Sequence, residues 1–432
     1  MTVVPPSLLG LPLGSASLLG GPEGVLDSDS VSTYITQAFS SIPTEGKRIV
    51  LVVPDATRSC PMSTLLPEIY RALENKAASL TALIALGTHA PMQDDEIDRF
   101  FAGTSTVKDL YPKLRFVNHE WWNPEQFLPI GTIASAQMRE ISMGRMDREV
   151  PVIINRIAVE SDLIIIVGPV FPHEVVGFSG GTKYLFPGIS GKAMIDASHW
   201  LGALISSSQI IGTPGITPVR EMINFAAGNL KTDIYALCLV VQSGTGALEA
   251  MAFGKPHSAW ELTSSVSSQT HIQYLEKPVK RVLSIIPSRY ADIWTAAKGM
   301  YKVDPIIADG GEVILYAPHV TEFAYTHPEL EQIGYHCRAY FTEQWDRFKN
   351  FPAGLLAHSI HLRGAGTYSA AEGETCRITV SLATGIPESR VRAMNLNYVD
   401  PSTVNISTYE ADSETFVVHN AGEILYRLSQ KG

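Results

Sequence analysis

The sequence predicts an α/β protein of two domains, each on a mainly parallel sheet, with the active site in the cleft between them. Three observations point there. The 432 residues exceed what a single hydrophobic core usually serves. Short β-branched runs end in Gly or Pro, and longer amphipathic stretches separate them, the alternation of strands with helices.

Arg48–Pro54 (RIVLVVP), Leu80–Gly87 (LTALIALG) and Asp162–Pro169 (DLIIIVGP) are apolar without alternation, so they read as parallel strands covered on both faces. Met62–Lys76 sets Leu65, Leu66, Ile69, Tyr70 and Leu73 at helical spacing and completes a strand–helix unit with the first of them. A second series of strands begins near Arg281 (VLSIIP) and continues with Glu312–Ala317 and Arg377–Ala383, with helices expected at Ala291–Met300 and Glu322–Ile333. Ser258–Lys277, rich in Ser, Thr and Gln, reads as the crossover between domains. The expected division is therefore 1–265 and 270–404, with 405–432, which holds the strand Thr415–His419, able to rejoin the first domain.

A hydrophobic share of 45% with 18% charged residues is that of a globular chain. The net charge of −10, with no local concentration of Lys and Arg, excludes a general nucleic-acid binder. Cys60, Cys238, Cys337 and Cys376 contain no CxxC pair and read as reduced, mostly buried thiols. An apolar patch at Ser7–Leu13 precedes the first basic residue, Lys47, so a secretory leader is not expected. Leu163–Val167 is too short to cross a bilayer, and a cytoplasmic protein without membrane contact is the expectation.

Ligands of open parallel sheets collect at the carboxyl ends of the strands. Three polar groups fall there: Asp55, Thr57 and Arg58 after the first strand, Gly87-Thr88-His89 after the second, and His173 after the third. Each also has an ordinary reading, Asp55 as a helix cap, His89 as a core histidine and Arg58 as half of a surface ion pair. The densest signal is His173–Trp200, where Gly177, Gly180, Gly181, Gly188 and Gly191 let the backbone approach a ligand closely. Gly181-Thr182-Lys183-Tyr184 breaks the phosphate-loop consensus, and no GxGxxG leads from a strand into a helix. His173, Lys183 and His199 match no common zinc spacing, but imidazole suits several metals, and a lysine there can bind phosphate or form a covalent bond.

PDATR at Pro54–Arg58, GTH at Gly87–His89, H-x3-GFSGG-x-K at His173–Lys183, PGISG at Pro187–Gly191, His199 and Lys298 in WTAAKG together resemble the nickel-dependent lactate racemases. The resemblance runs across roughly Asp55–Lys298. It implies a nickel pincer nucleotide, nickel with pyridinium-3,5-bisthiocarboxylic acid mononucleotide, bound covalently at Lys183 with His199 as the protein's nickel ligand. Asp55, Gly177, Ser179, Gly180 and Gly181 would line the cofactor, His89 and His173 would be paired acid and base, and Arg58 and Lys298 would hold a substrate carboxylate. It also implies cofactor and catalysis in 1–265, a closing role for 270–404, and transient contact with cofactor-synthesis proteins.

The reaction so implied is inversion at C2 of a 2-hydroxy acid through a 2-keto acid, with hydride passing reversibly to the pincer ring. Hydride removal avoids a carbanion beside a carboxylate, and two imidazoles provide a base for either enantiomer. One departure is Thr295, where the family has glutamine three residues before the lysine; a shorter side chain points to an altered substrate pocket, so the acid is lactate or a larger, more polar one such as a sugar acid. In His358–Tyr368 (HSIHLRGAGTY), a solvated loop is the ordinary reading and contact of His361 or Arg363 with such an acid is the sharper one. The alternatives are a homologue that binds the cofactor without catalysis, and a nucleotide-dependent kinase or ligase using the Gly-rich loop.

Overall fold

A computed structural model describes residues 16–429, and the apolar patch Ser7–Leu13 lies outside the described residues. Internal contacts divide the chain into two units. The first holds the described residues up to Phe171 with Ser179–Ile195 and Pro214–Thr270, and the second holds Pro172–Phe178, Asp196–Thr213 and the residues from His271 onward. The stretch His173–His199, expected inside one domain, is thus shared: Lys183 belongs to the first unit, His173 and His199 to the second. Among the described residues no helix is long and apolar enough to cross a membrane.

The first unit is built on strands β1 (Ala16–Gly20), β2 (Arg48–Val53), β3 (Ser79–Ile84), β4 (Leu114–Asn118), β5 (Leu163–Pro169), β6 (Asp233–Val241) and β7 (Leu248–Gly254). Their order in the sheet is β1-β7-β6-β5-β2-β3-β4, parallel from β6 to β4 and antiparallel at β1 and β7. β5, β2 and β3 are neighbours, so Asp55–Arg58 and Gly87–His89 leave the carboxyl ends of adjacent parallel strands, whereas His173 falls in the second unit. Helices α1 (Ser28–Ser40) and α2 (Met62–Leu73) pack on each other. The α2 stripe of Leu65, Leu66, Ile69 and Leu73 joins Ile49, Leu51, Val53, Ile165 and Val167 in one buried cluster. Each such side chain contributes roughly 1.5–3 kcal/mol on burial.

Ser258–Lys277 contains the boundary between the two units, after Thr270, but most of it is helical. Helix α4 (Pro256–Thr270) lies on β6 and β7, after α3 (Lys192–Ile205) in chain order. Its small polar residues satisfy themselves on carbonyls: the Thr263 hydroxyl donates to Ala259 O at 2.8 Å and Ser267 to Val170 O at 2.8 Å. Close packing with satisfied hydroxyls replaces the aliphatic stripe that a helix reading would look for.

The second unit carries β8 (Val279–Ile285), β9 (Ile307–Ala317), the hairpin β10 (Gly366–Ser369) and β11 (Gly373–Cys376), then β12 (Thr379–Thr384), β13 (Asn397–Tyr398) and β14 (Thr415–Val418). The main sheet runs β13-β12-β9-β8-β14, all parallel. β14 therefore pairs within this unit, and Leu425–Leu428 pairs with Ile272–Leu275, so the C-terminal segment does not rejoin the first unit. The fold is α/β with mainly parallel sheets, as expected.

Two helix expectations change. Ala291–Met300 forms two short turns, α5 (Ile293–Ala296) and α6 (Lys298–Tyr301). Of Glu322–Ile333 only Leu330–Ile333 is helical, because Pro328 interrupts it and the carbonyls of Glu322 and Phe323 accept the N–H groups of Ile293 and Trp294. His358–Tyr368 is not a solvated loop either. After α7 (Arg338–Glu343), helix α8 (Ala353–Arg363) buries His358 and His361, which are 7% and 2% exposed.

Candidate active site

In the first unit, the Asp55 carboxylate ends β2 and is almost fully enclosed. Oδ1 accepts the Thr57 N–H at 2.9 Å, and Oδ2 lies 2.6 Å from Nδ1 of His89. Asp55 is no helix cap: α2 starts at Met62 with Pro61 before it. Burial works to raise this carboxyl, but the His89 imidazole, Arg58 and the Thr57 hydroxyl outweigh it and hold it well below the ordinary range. An ionised Asp55 takes the Nδ1–H of His89 and leaves Nε2 as the basic nitrogen.

His89 is itself fixed from behind, since its N–H donates to Leu86 O at 2.9 Å and its carbonyl accepts Nε1–H of Trp121 at 2.9 Å. Gly87 N–H donates to Gly188 O at 2.9 Å, which fastens the GTH segment to the PGISG segment. Arg58 is partly exposed, with NH1 3.2 Å from the Thr57 hydroxyl.

Lys183 sits partly exposed in the short turn Gly181–Tyr184. The loop before it is held by hydrogen bonds: Ser179 and Phe171 bond each other, Trp260 Nε1 donates to Ser179 O at 2.9 Å, and Arg220 NH1 donates to Gly180 O at 3.0 Å. Arg220 is 1% exposed and lies 4.4 Å over the Trp260 ring; burial pushes its guanidinium down to about 9. A Cβ at Gly180 would stand 2.5 Å from Val170 and one at Gly181 3.0 Å from Trp260. On that side these glycines make room for the protein itself, not for a ligand. Tyr184 is within electrostatic reach of Arg58 and Asp55, so the lysine's own turn adjoins the strand-end cluster.

The second unit gathers its own cluster. His173 is 8% exposed; its Nδ1 accepts the Val175 N–H at 3.1 Å and lies 3.4 Å from Glu174 Oε2. An Nδ1 that accepts a backbone N–H places the proton of the neutral ring on Nε2. Burial works to raise Glu174, but its own backbone N–H, Lys298 and Lys302 outweigh burial and hold it ionised. Gly177 lies in the adjoining two-residue strand with φ 88°, a left-handed conformation that glycine accommodates. His199, on α3, is partly exposed with Nδ1 3.3 Å from the Ser198 hydroxyl. Asp196, one turn earlier, accepts the Gly354 N–H at 2.9 Å and ties α3 to the start of α8.

On α8, His358 is held between the hydroxyls of Tyr301 (3.1 Å) and Tyr335 (3.3 Å). His361 is different: neither ring nitrogen has a hydrogen-bond partner among the described residues. Burial pushes it down to about 4, Glu174 pulls it back up, and His199 is near enough to act on it. Arg363 acts elsewhere. A hydrogen bond with Cys337 and burial push the Cys376 thiol up, and the Arg363 charge opposes them. Lys298 Nζ stands 4.9 Å over the Tyr290 ring. The Thr295 hydroxyl is occupied, donating to Asp292 Oδ1 at 2.8 Å, so Thr295 offers a ligand volume more than a hydrogen bond.

Asp55, Arg58, His89 and the Lys183 turn are thus brought together in one unit, and His173, His199, Lys298 and His361 in the other. Glu174, Lys302, Arg220, Trp260 and Trp121 were missed by sequence reasoning. Glu174 directly follows His173 and Lys302 stands one helical turn after Lys298, which were available signals; the other three act through backbone contacts that leave no local pattern.

Residues 30–212 match the model of the lactate racemase N-terminal domain. The chain is 28% identical over 278 residues to the lactate racemase of Thermoanaerobacterium thermosaccharolyticum, covering 63% of this chain and 60% of that protein. It is 29% identical over 153 residues to the lactate racemase of Lactiplantibacillus plantarum, covering 35% of this chain and 32% of that one. The chain therefore matches less than two thirds of either relative's length. A crystal structure of a Thermotoga maritima protein superposes with a TM-score of 0.87 at 31% identity, covering 95% of this chain and all of that one. The lactate racemase apoprotein of T. thermosaccharolyticum superposes with a TM-score of 0.66 at 21% identity, covering 94% of this chain and 90% of that one, a likeness of fold. Apart from Lys298, the motifs above stand inside residues 30–212, and the chain is similar there to the lactate racemase N-terminal domain.

Proposed function

We propose that this protein is a racemase or epimerase that inverts C2 of a 2-hydroxy acid, acting in the cytoplasm with a nickel pincer nucleotide tethered at Lys183. The single observation that carries the reading is the His89 imidazole oriented by the Asp55 carboxylate at 2.6 Å, which leaves Nε2 to take the hydroxyl proton. His173 stands with Nδ1 3.4 Å from Glu174 Oε2, a neighbour that favours the imidazolium needed to return a proton.

The residues fit such a cofactor. Lys183 offers an amine on a turn fixed by Arg220 and Trp260, and His199 offers an imidazole, a donor suited to nickel. When bound, the group would supply a reversible acceptor for the C2 hydride. The chain's own side chains do the rest. Arg58 grips the carboxylate in bidentate fashion and Lys298 adds a point charge. His89 takes the hydroxyl proton through Nε2, and the Asp55 carboxylate stabilises the imidazolium that results. As the imidazolium, with Nδ1 protonated toward Glu174 in place of the Val175 contact, His173 returns a proton to oxygen through Nε2.

The two unpartnered nitrogens of His361 favour an acid with further hydroxyls, such as a sugar acid, over lactate, because a buried polar atom without a partner costs stability that a ligand hydroxyl would restore. Cofactor-synthesis proteins are the transient partners this reading requires.

The test is intact mass and turnover of protein made in a host that supplies nickel and the cofactor pathway. Wild type carries an adduct at Lys183 and interconverts enantiomers; Lys183→Ala carries none and is inactive. A fully active Lys183→Ala would end the proposal. Lactate preferred over every hydroxylated acid would remove the sugar-acid assignment alone.

A further inference from the structure

We infer that Cys337, Glu374 and Cys376 form a binding site for a thiophilic divalent cation of the zinc class, separate from the catalytic residues. One ligand atom from each, two sulfurs and a carboxylate oxygen, lies within 4.8 Å of the others. No disulfide joins the sulfurs. Two thiolates with one carboxylate select a soft or borderline ion over magnesium or calcium, which take oxygen ligands.

The arrangement follows from the hairpin. Glu374 and Cys376 are two residues apart on β11, so their side chains share a face. Gly366 stands opposite Cys376 on β10. A Cβ at Gly366 would come within 2.9 Å of Cys337 Cβ and 3.2 Å of its Sγ. Only a residue without a side chain lets the Cys337 sulfur reach over the hairpin.

The carboxylate is fixed in advance. Glu374 Oε2 receives His336 Nδ1 at 2.7 Å and Asn395 Nδ2 at 2.8 Å, and Oε1 receives the Cys337 N–H at 2.5 Å. His336 in turn stacks flat on Tyr340, with centroids 3.6 Å apart and planes 7° apart. Outer partners that orient a ligating carboxylate are a regular feature of metal sites. Cys337 is fully buried while Cys376 and Glu374 are partly exposed, which leaves an entry path and room for a water as fourth ligand.

Binding replaces the protons of both thiols, so a divalent ion releases two protons and turns three negative ligands into a complex of charge −1. The ion would clasp the start of α7 to the hairpin. The same segment is pinned to α8, because Ser359 accepts the His336 N–H at 2.9 Å and donates to Gly334 O at 2.8 Å. The clasp would therefore steady the helix that carries His358 and His361.

The experiment is titration of the full reduced chain, free of metal, with cobalt(II) and then zinc. One equivalent of cobalt is expected to give a thiolate-to-cobalt charge-transfer band with tetrahedral d–d intensity, and zinc should displace it. Cys376→Ser and Cys337→Ser should lose the band, Glu374→Gln should bind about tenfold more weakly or worse, and His199→Ala should keep the band. Absence of the band in reduced wild type overturns the site, as does its persistence in Cys376→Ser. Recovery of a Cys337–Cys376 disulfide in place of bound metal overturns it too.

Discussion

The Asp55 carboxylate lies 2.6 Å from Nδ1 of His89, two residues 34 apart in sequence that meet because their strands are neighbours. The contact fixes which imidazole nitrogen can act as base. Asp55→Asn keeps the size but can present its amide N–H to Nδ1, which turns the ring to the wrong tautomer. We expect kcat to fall by about 10³–10⁴, the scale seen when an orienting aspartate is neutralised in a hydrolytic triad, with KM little changed. A loss below about tenfold in steady-state assays of the loaded enzyme would remove Asp55 from this role.

Three buried histidines predict acid sensitivity, and burial holds one of them, His358, well below the ordinary range. Burial pushes His119 and His361 each down to about 4. Unfolded, each titrates near pH 6.5, so below that the unfolded chain holds more protons than the native one and stability falls with pH. The stabilisation is complete above about pH 6.5 and is lost as pH falls toward 4, at up to roughly 1.4 kcal/mol per pH unit for each ring. Asp55 adds to the loss only further down, since its depressed carboxyl gives full stabilisation above the unfolded value near 3.9. Urea unfolding between pH 7 and 4.5 should show this slope, and His361→Phe should flatten it. An unchanged slope in that variant would contradict the assignment.

What could be read in the sequence followed burial. RIVLVVP and DLIIIVGP announce themselves because strands covered on both faces leave unbroken apolar runs. Helix α8 did not, since Ala353 to Leu362 are all buried and a helix enclosed on every side shows no stripe. The residue types of the site stood at legible strand ends, whereas their meeting depends on sheet order, which no local pattern encodes. Arg220 and Trp260 lie 40 and 81 residues from the carbonyls they hold, and nothing near either residue reports that contact.

Thr295 ties substrate choice to a local cap. Its hydroxyl and its N–H both reach Asp292 Oδ1, at 2.8 and 3.0 Å. Thr295→Ser keeps the bond and should unfold at the wild-type urea midpoint. Thr295→Gln loses it, at a cost of about 1 kcal/mol, and projects a longer amide that should lower kcat/KM for a hydroxylated acid more than for lactate. Equal effects on both acids would show that this position does not face the substrate.

Gly180 and Gly87 both sit at positive φ, 81° and 61°, but a Cβ at Gly180 would stand 2.5 Å from Val170 Cγ2 while one at Gly87 meets nothing within 4 Å. Gly87→Ala should therefore cost only the left-handed penalty, about 1–2 kcal/mol. Gly180→Ala adds overpacking of about 1–3 kcal/mol, and Val170→Ala in the same chain should recover part of that addition, because the two sites share one contact. The strain falls where Gly180 O receives both Arg220 and the Lys183 N–H, at 3.0 and 3.3 Å. Adduct yield at Lys183, read by intact mass, should accordingly drop in Gly180→Ala and recover in the double variant. Equal stability losses at the two glycines, or full adduct in Gly180→Ala, would show that this loop does not position the lysine.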